Sequence, residues 1–313
     1  LQAAREEMAP GPLKQLELQL TELHGAAVRQ LCEEAAFDLG QVDLVGFHGH
    51  TIAHQPERGH TRQLGDGPAL ASQLGCRVIY DYRSADLSAG GEGAPLAPLF
   101  HRAMLNDRGG THLVLNLGGV GNVTWISGSQ LAAGDTGPGC GLLDLWTQRH
   151  TGEPFDRDGR LAANGEADMA WVRESLSQHP YFARSFPKSA DRFDFDSLNL
   201  DAHSPEDGAA TLCALTVEAV AQAVRRLKEW PDCCWVTGGG RHHPVLMRRL
   251  EEHFPQVAPV SELGYSEDFL EASCFAWLGV RRLLGLPTTL PQTTGAQGPV
   301  CGGRIVSPEG VDL

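Results

Sequence analysis

The chain has 313 residues, a formal net charge of −14 at pH 7, 42% hydrophobic residues and 20% charged residues. This length suits two domains or one large α/β unit, and the acidic balance argues against non-specific nucleic-acid binding. No stretch approaches the roughly 20 apolar residues that span a bilayer. The eight cysteines form no C-x-x-C pair and no signal peptide is visible, which predicts reduced thiols in the cytoplasm.

The first third of the chain alternates predicted helices and strands. The periodicity predicts an amphipathic helix over 14–38, buried strands over 42–45 and 77–82, and a short helix over 69–75 that ends at a glycine. Alternation of this kind is typical of a parallel or mixed sheet.

A different pattern begins at residue 112. Residues 112–139 predict a β-meander, followed by a helix over about 141–150. A strand over 233–240 is expected among three further helices. The tail, 286–313, is predicted to be irregular. There is no G-x-x-x-x-G-K-[ST] loop, and the glycines lack the strand–helix setting of a dinucleotide fingerprint.

The segment GDTGPGCG, residues 134–141, holds a single acid among glycines. A carboxylate at the end of a strand suits a general base, so Asp135 is the strongest candidate for a catalytic residue. The alternative is a cap for the helix after residue 140, but Asp135 lies too far upstream to cap it directly.

Two glycine-rich turns are candidate ligand sites. LNLGGVGN (115–122) predicts either a hairpin that wraps phosphates or a plain hairpin that needs flexible residues. TGGGRHHP (237–244) follows a buried strand, and three consecutive glycines are costly in chain entropy. That cost favours a ligand lying against bare backbone.

Two polar loops of the first third are also candidates. GFHGHTIAH (46–54) offers His48, His50 and His54, but no further ligands complete a metal set, so a metal-free polar loop is favoured. The second loop, 80–98, places Arg83 beside many glycines, where it could clamp a carboxylate or phosphate. A salt-bridged surface loop is the alternative.

Together these motifs resemble the anhydro-N-acetylmuramic acid kinase family of the actin/hexokinase/Hsp70-like ATPase superfamily. The matching pieces run in family order from about residue 44 to the C-terminus. They are GFHGHTIAH, YDYRSADLSAGGEGAPLAP, LNLGGVGNVTWI, DTGPGCGLLD, GEPFDRDG, PKSADRFDF, VTGGGRHHPVLM, EASCFAWLG and TTGA.

The resemblance implies an α/β fold with two ribonuclease-H-like lobes around a central cleft. The expected first lobe is 1–108 with the tail 286–313, and the second is 109–285. It also implies ATP-dependent, Mg²⁺-assisted conversion of 1,6-anhydro-N-acetylmuramic acid and water to N-acetylmuramic acid 6-phosphate, in cell-wall recycling. A small sugar is the expected partner, a homodimer is left open, and no nucleic acid or membrane is expected.

The resemblance also assigns roles to individual residues. Asp135 falls where the family has its general base for water. The sugar side is expected to include His48, Gly49, Arg83 and Glu271. The nucleotide side is expected to include Gly118, Gly119, Asn122, Gly137, Gly139, Gly238, Gly239 and Gly240.

The sequence departs from the family pattern in two ways. The family begins with a strand and a Gly-Thr-Ser-x-Asp-Gly phosphate loop, which precedes the first residue here, so the first lobe is expected to be incomplete. His50, Cys140 and His243 stand where Gln, Asn and often Asn are expected. Two alternatives therefore stay open: a catalytically silent relative that only binds a ligand or partner, and a metal-dependent hydrolase built on His48 and His50.

Overall fold

The computed structural model of the protein describes residues 10–311, apart from the side chains of Pro10, Arg192 and Phe193. The α-helices are α1 (Pro10–Glu34), α2 (Gly67–Leu74), α3 (Ser84–Ser88), α4 (Pro98–Met104), α5 (Gly141–Thr151), α6 (Arg160–Ala163), α7 (Met169–Gln178), α8 (Pro180–Ala183), α9 (Pro205–Val224), α10 (Pro244–Glu251), α11 (Leu270–Leu283) and α12 (Pro291–Thr294). The strands are β1 (Leu44–Gly46), β2 (His50–Gln55), β3 (His60–Leu64), β4 (Arg77–Tyr80), β5 (Thr111–Leu117), β6 (Val120–Ser127), β7 (Gln130–Pro138), β8 (Cys233–Thr237), β9 (Val257–Pro259) and β10 (Arg304–Val306).

The chain divides into two compact units, and unit 1 runs to Phe100 and resumes at Glu271. Its main sheet has the order β1-β4-β10, in which β1 is parallel and β10 antiparallel to β4. A separate hairpin joins β2 to β3. Because Leu70 and Leu74 lie on one face of α2, that helix packs against Val78 and Val306 of the sheet.

The tail and all of α11 after its first residue belong to unit 1. The sequence placed residues up to 285 in the second lobe, and that assignment is wrong for α11. The hydroxyl of Tyr82 donates to the carbonyl of Phe275 at 3.1 Å, and the two rings pack at 5.1 Å. The predicted irregular tail also contains α12 and β10. These non-local contacts leave no trace in helix periodicity.

A buried carboxylate holds the tail in unit 1. Asp86 is fully buried and accepts hydrogen bonds from the hydroxyls of Thr289 and Thr294 and, at 2.8 Å, from the backbone N–H of Gly93. A buried polar group is costly unless it is hydrogen-bonded, so the threonines of the tail stabilise the folded position of Asp86.

Unit 2 spans His101–Leu270 and is built on a five-stranded sheet. The strand order is β7-β6-β5-β8-β9, with β5, β6 and β7 antiparallel and β8 parallel to both β5 and β9. The predicted meander is therefore confirmed, as is the α/β class. Alanine-rich α9 is buried along most of its length and forms the core with the sheet. Within residues 10–311, no helix combines the length and apolar character that a membrane span requires.

Candidate active site

A row of polar side chains crosses the sheet of unit 2. Asp135 of β7 is the cross-strand partner of Asn122 in β6, Asn122 is paired with Asn116 in β5, and Asn116 with Thr237 in β8. Directly opposed residues of neighbouring strands project on the same face of a sheet. The predicted base and the predicted nucleotide-side Asn122 are thus neighbours, together with Asn116 and Thr237, which the sequence analysis missed.

Asp135 is held by a distant segment of the chain. Its N–H donates to the carbonyl of Lys188 at 2.8 Å, and the N–H of Ala190 donates to its Oδ2 at 2.8 Å. The Tyr181 hydroxyl donates to its carbonyl at 2.9 Å. The N-cap of α5 is Cys140, so Asp135 is not a helix cap. Its carboxylate is fixed in place, as a general base must be.

The β5–β6 turn is tied to the loop that follows β7. The carbonyl of Gly118 accepts from the N–H of Cys140 at 2.7 Å. The carbonyl of Gly119 accepts from Gly139 at 3.1 Å and from Gly141 at 3.0 Å. A Cβ on Gly139 would overlap the Gly118 carbonyl, and one on Gly141 would lie 2.7 Å from the Gly119 oxygen. Close backbone packing therefore explains these two glycines.

The triple glycine after β8 contains two positions that packing requires. Gly238 has a φ of 83°, and a Cβ there would overlap Asn116 Oδ1. A Cβ on Gly240 would lie 2.6 Å from the Cβ of Leu117 and 2.8 Å from Cys140 Sγ. Both distances are far below van der Waals contact, so larger residues would displace the β5–β6 turn.

Two of the predicted nucleotide-side glycines have a different character. Gly119 and Gly239 are exposed, and a Cβ on either would meet nothing within 4 Å in the described chain. Packing therefore does not require glycine at these positions. Bare backbone facing open space is what allows N–H groups to approach phosphate oxygens, so the two positions fit a nucleotide.

Two other predicted ligand-side glycines have structural reasons. Gly49 has a φ of 72°, and a Cβ there would overlap the carbonyl of Leu64. A Cβ on Gly137 would lie 2.7 Å from Cε1 of Phe182. Gly49 shapes the loop between β1 and β2, Gly137 makes room for Phe182 beside β7, and neither glycine needs a ligand to explain it.

Two departures from the family pattern make identifiable contacts. The thiol of Cys140 makes a weak contact with the Leu117 carbonyl, at 3.9 Å, and burial raises the pKa of this thiol to about 12. His243 is buried, with Nε2 at 3.1 Å from Asp156 Oδ2. Asp144, in the first turn of α5, was not predicted: burial raises the pKa of its carboxyl group to about 6, with His243 partly opposing.

In unit 1, the structure brings His48 and Arg83, two residues predicted for the sugar side, into contact. Arg83 Nε donates to His48 Nε2 at 3.1 Å, and Arg83 Nη1 donates to the Gly93 carbonyl at 2.7 Å. His48 Nδ1 lies 3.0 Å from the Gly49 carbonyl, and its ring stacks on Phe275 at 4.4 Å. An Nε2 that accepts fixes Nδ1 as the donor, so His48 is a neutral imidazole in one tautomer.

The contacts of His48 bear on the metal hypothesis. Both of its ring nitrogens are engaged, so neither is available for a metal while Arg83 stays in place. Within residues 10–311, no cluster of three or more His, Cys, Asp or Glu side chains could hold a metal ion.

A cavity of about 220 Å³ with a mixed polar and apolar lining lies beside His48. Besides His48 and Gly49, its walls include Arg62, Gln63 and Asp81. Hydrogen-bonding groups of this kind suit a sugar. The predicted Glu271 is exposed in the first turn of α11, one helical turn before the Phe275 that stacks on His48.

We expect His48 to make the protein acid-sensitive. Burial, together with Arg83, lowers the pKa of His48 from 6.5 to about 3. The unfolded chain therefore takes up a proton near pH 6.5 that the folded chain does not, and stability falls as pH drops from 6.5 towards 3. At pH 5 the loss is roughly 2 kcal/mol. Urea unfolding at pH 7.5 and 5.0 measures it.

A matched pair of histidine variants isolates this effect. His48→Gln should flatten the dependence of unfolding free energy on pH. His60→Gln, at an exposed histidine of β3, should leave the dependence unchanged. A His48→Gln protein with the full wild-type dependence on pH would contradict the assignment.

Comparisons with known proteins identify the family of the chain. The profile of the family described as anhydro-N-acetylmuramic acid kinase matches residues 3–308. A protein of that name from Rhodopseudomonas palustris BisB18 is 45% identical, with 98% of this chain and 85% of the relative covered. The one from Paramagnetospirillum magneticum AMB-1 is 48% identical, covering 94% of this chain and 84% of the relative. On this match the chain belongs to the anhydro-N-acetylmuramic acid kinase family.

Proposed function

We propose that this protein uses ATP and water to convert 1,6-anhydro-N-acetylmuramic acid to N-acetylmuramic acid 6-phosphate, as a step of cell-wall recycling. The observation that carries the proposal is the fixed Asp135 carboxylate, which lies in one polar row with Asn122 and beside glycine turns whose backbone is open at Gly119. Family membership supplies the reaction class.

The proposed reaction balances with Asp135 as the base. Asp135 takes a proton from water as the water oxygen bonds to the anomeric carbon. The bond between that carbon and O6 breaks, O6 bonds to the γ-phosphorus, and ADP leaves with the electrons of the broken P–O bond. The proton on Asp135 then passes to solvent. One ATP, one water and one anhydro-sugar give one ADP, one sugar phosphate and one proton.

Unit 2 is proposed to bind the nucleotide. The open backbone of Gly119 and Gly239 would face phosphate oxygens, while Gly118, Gly139 and Gly240 keep the turns in shape. Mg²⁺ needs only one or two protein carboxylates when phosphates and waters complete its shell. When bound, it would neutralise charge on the transferring phosphoryl group.

Unit 1 is proposed to bind the sugar. His48 is held neutral with Arg83 as its donor, and the adjoining cavity of about 220 Å³ presents amide, guanidinium and carboxylate groups. Glu271 of α11 would add a second acceptor on this side. Hydroxyl and acetamido groups of an amino sugar match such a mixture of donors and acceptors.

The test is a product assay with purified protein, Mg²⁺-ATP and 1,6-anhydro-N-acetylmuramic acid. We expect ADP and N-acetylmuramic acid 6-phosphate in equal amounts by chromatography and mass spectrometry. N-Acetylmuramic acid, which has no anhydro bridge, is the matched control and should not stimulate ADP release. Tight binding of sugar and ATP without any product would instead support the catalytically silent alternative.

A further inference from the structure

Lys188 is a buried lysine whose charge the proposed reaction does not yet use. The sequence contains three lysines, Lys14, Lys188 and Lys228, among a total of 25 basic Lys and Arg residues. The side chains of the other two are exposed, whereas Lys188 is 2% exposed. A lysine is rarely buried without a specific reason, because its ammonium group is strongly hydrated in water.

The contacts of the Lys188 ammonium group are weak. In the described chain Nζ donates one long hydrogen bond, of 3.4 Å, to the Tyr181 carbonyl and lies 4.3 Å from the centre of the Tyr181 ring. An ammonium group has three donors, so these contacts replace its lost hydration only in part. Local contacts alone do not account for a charge at this position.

The charged neighbours of Lys188 show which group favours its protonated form. Burial, together with repulsion from Arg226 and Arg184, lowers the pKa of Lys188 to about 8, and Asp135 partly opposes this shift. Among the charged groups that act on Lys188 in the described chain, Asp135 is the one that favours the protonated amine. By reciprocity the ammonium group favours the ionised form of Asp135.

The same segment fixes the position of Asp135. The Lys188 carbonyl and the Ala190 N–H each hold it at 2.8 Å, so the segment 188–190 supplies both backbone contacts and charge. Aromatic rings lie on either side along β7, since Phe186 lies against Gly134 and Phe182 against Gly137.

We infer that Lys188 is a positioning residue for Asp135. Its backbone holds Asp135 in place, and its ammonium group favours the ionised form of that carboxylate. This inference rests on the proposed function of Asp135. The charged and titratable groups that bear on the pair are Tyr181 of α8, Arg184 after it and Arg226 after α9.

The first test is the pH dependence of kcat/KM. Lys188→Met removes the charge at similar volume, and we expect the acidic limb to move up by roughly one pH unit. Lys188→Arg keeps the charge and should leave the limb within about 0.3 units of wild type, as should Lys228→Met at an exposed lysine. A folded Lys188→Met protein with an unmoved acidic limb would overturn the inference.

The second test needs no enzyme activity. In protein labelled with ¹³C at the lysine ε-carbon there are only three signals, which Lys14→Arg and Lys228→Arg assign. We expect the titration midpoint of Lys188 to fall by at least half a pH unit in Asp135→Asn, because the attraction is lost. An unchanged midpoint refutes the coupling even if the protein is an active kinase, while a lowered midpoint with no turnover refutes only the proposed function.

Discussion

Replacing Asp135 with Asn should reduce kcat for the anhydro-sugar by roughly 10²–10⁴-fold, the usual contribution of a general base. The amide oxygen of Asn can still accept the N–H of Ala190, which Asp135 Oδ2 accepts at 2.8 Å. The fold should therefore be retained while the proton acceptor is lost. Steady-state ADP release at saturating ATP measures the change.

Two controls make this prediction sharp. Asp107→Asn applies the same chemical change to an exposed aspartate of unit 2 and should leave kcat unchanged. Affinity of Asp135→Asn for ATP, measured by calorimetry, should stay within about threefold of wild type, since the nucleotide is assigned to the glycine turns. If kcat of Asp135→Asn fell less than about threefold, Asp135 could not be the base.

A pair of glycine substitutions should separate folding from nucleotide binding. Gly139→Ala places a methyl group into the Gly118 carbonyl and should lower the free energy of unfolding by about 1–3 kcal/mol, as overpacking does. Gly119→Ala meets nothing within 4 Å in the described chain and should stay within roughly 0.5 kcal/mol of wild type. Urea unfolding without nucleotide measures both.

Binding of ATP should show the opposite pattern. A methyl group on Gly119 would occupy the space assigned to the phosphates, so we expect ATP affinity to fall at least about tenfold in a protein of wild-type stability. Gly239→Ala, at the other open position, should behave in the same way. Wild-type ATP affinity in both variants would refute the assignment of the nucleotide to these turns.

Short-range patterns in the sequence predicted much of the fold. The predicted helix over 14–38 corresponds to α1, and the meander from residue 112 to β5, β6 and β7. Apolar periodicity and turn glycines are local features that involve only a few consecutive residues. They can therefore be recognised in the sequence without knowledge of the tertiary structure. The hairpin β2–β3 was missed, because its strands are polar and half-exposed.

The candidate site was predicted in part for the same reason. Asp135 could be proposed from the sequence because a lone acid among glycines is a local signal. Its neighbour Lys188 lies more than 50 residues further along the chain and carries no local signal of proximity. The role of each glycine could not be predicted from the sequence either. Gly119 and Gly139 differ in which atoms a Cβ would meet, and only the tertiary structure shows this.

The sequence by itself determined the positions of the strongly periodic elements, the glycine turns and the acid among them, because each depends on near neighbours in the chain. Only the tertiary structure decided that Asn116, Asn122 and Asp135 form one row, that α11 belongs to unit 1, and which glycines face open space. Strand register and packing join residues that are remote in sequence, and they depend on how the whole unit folds.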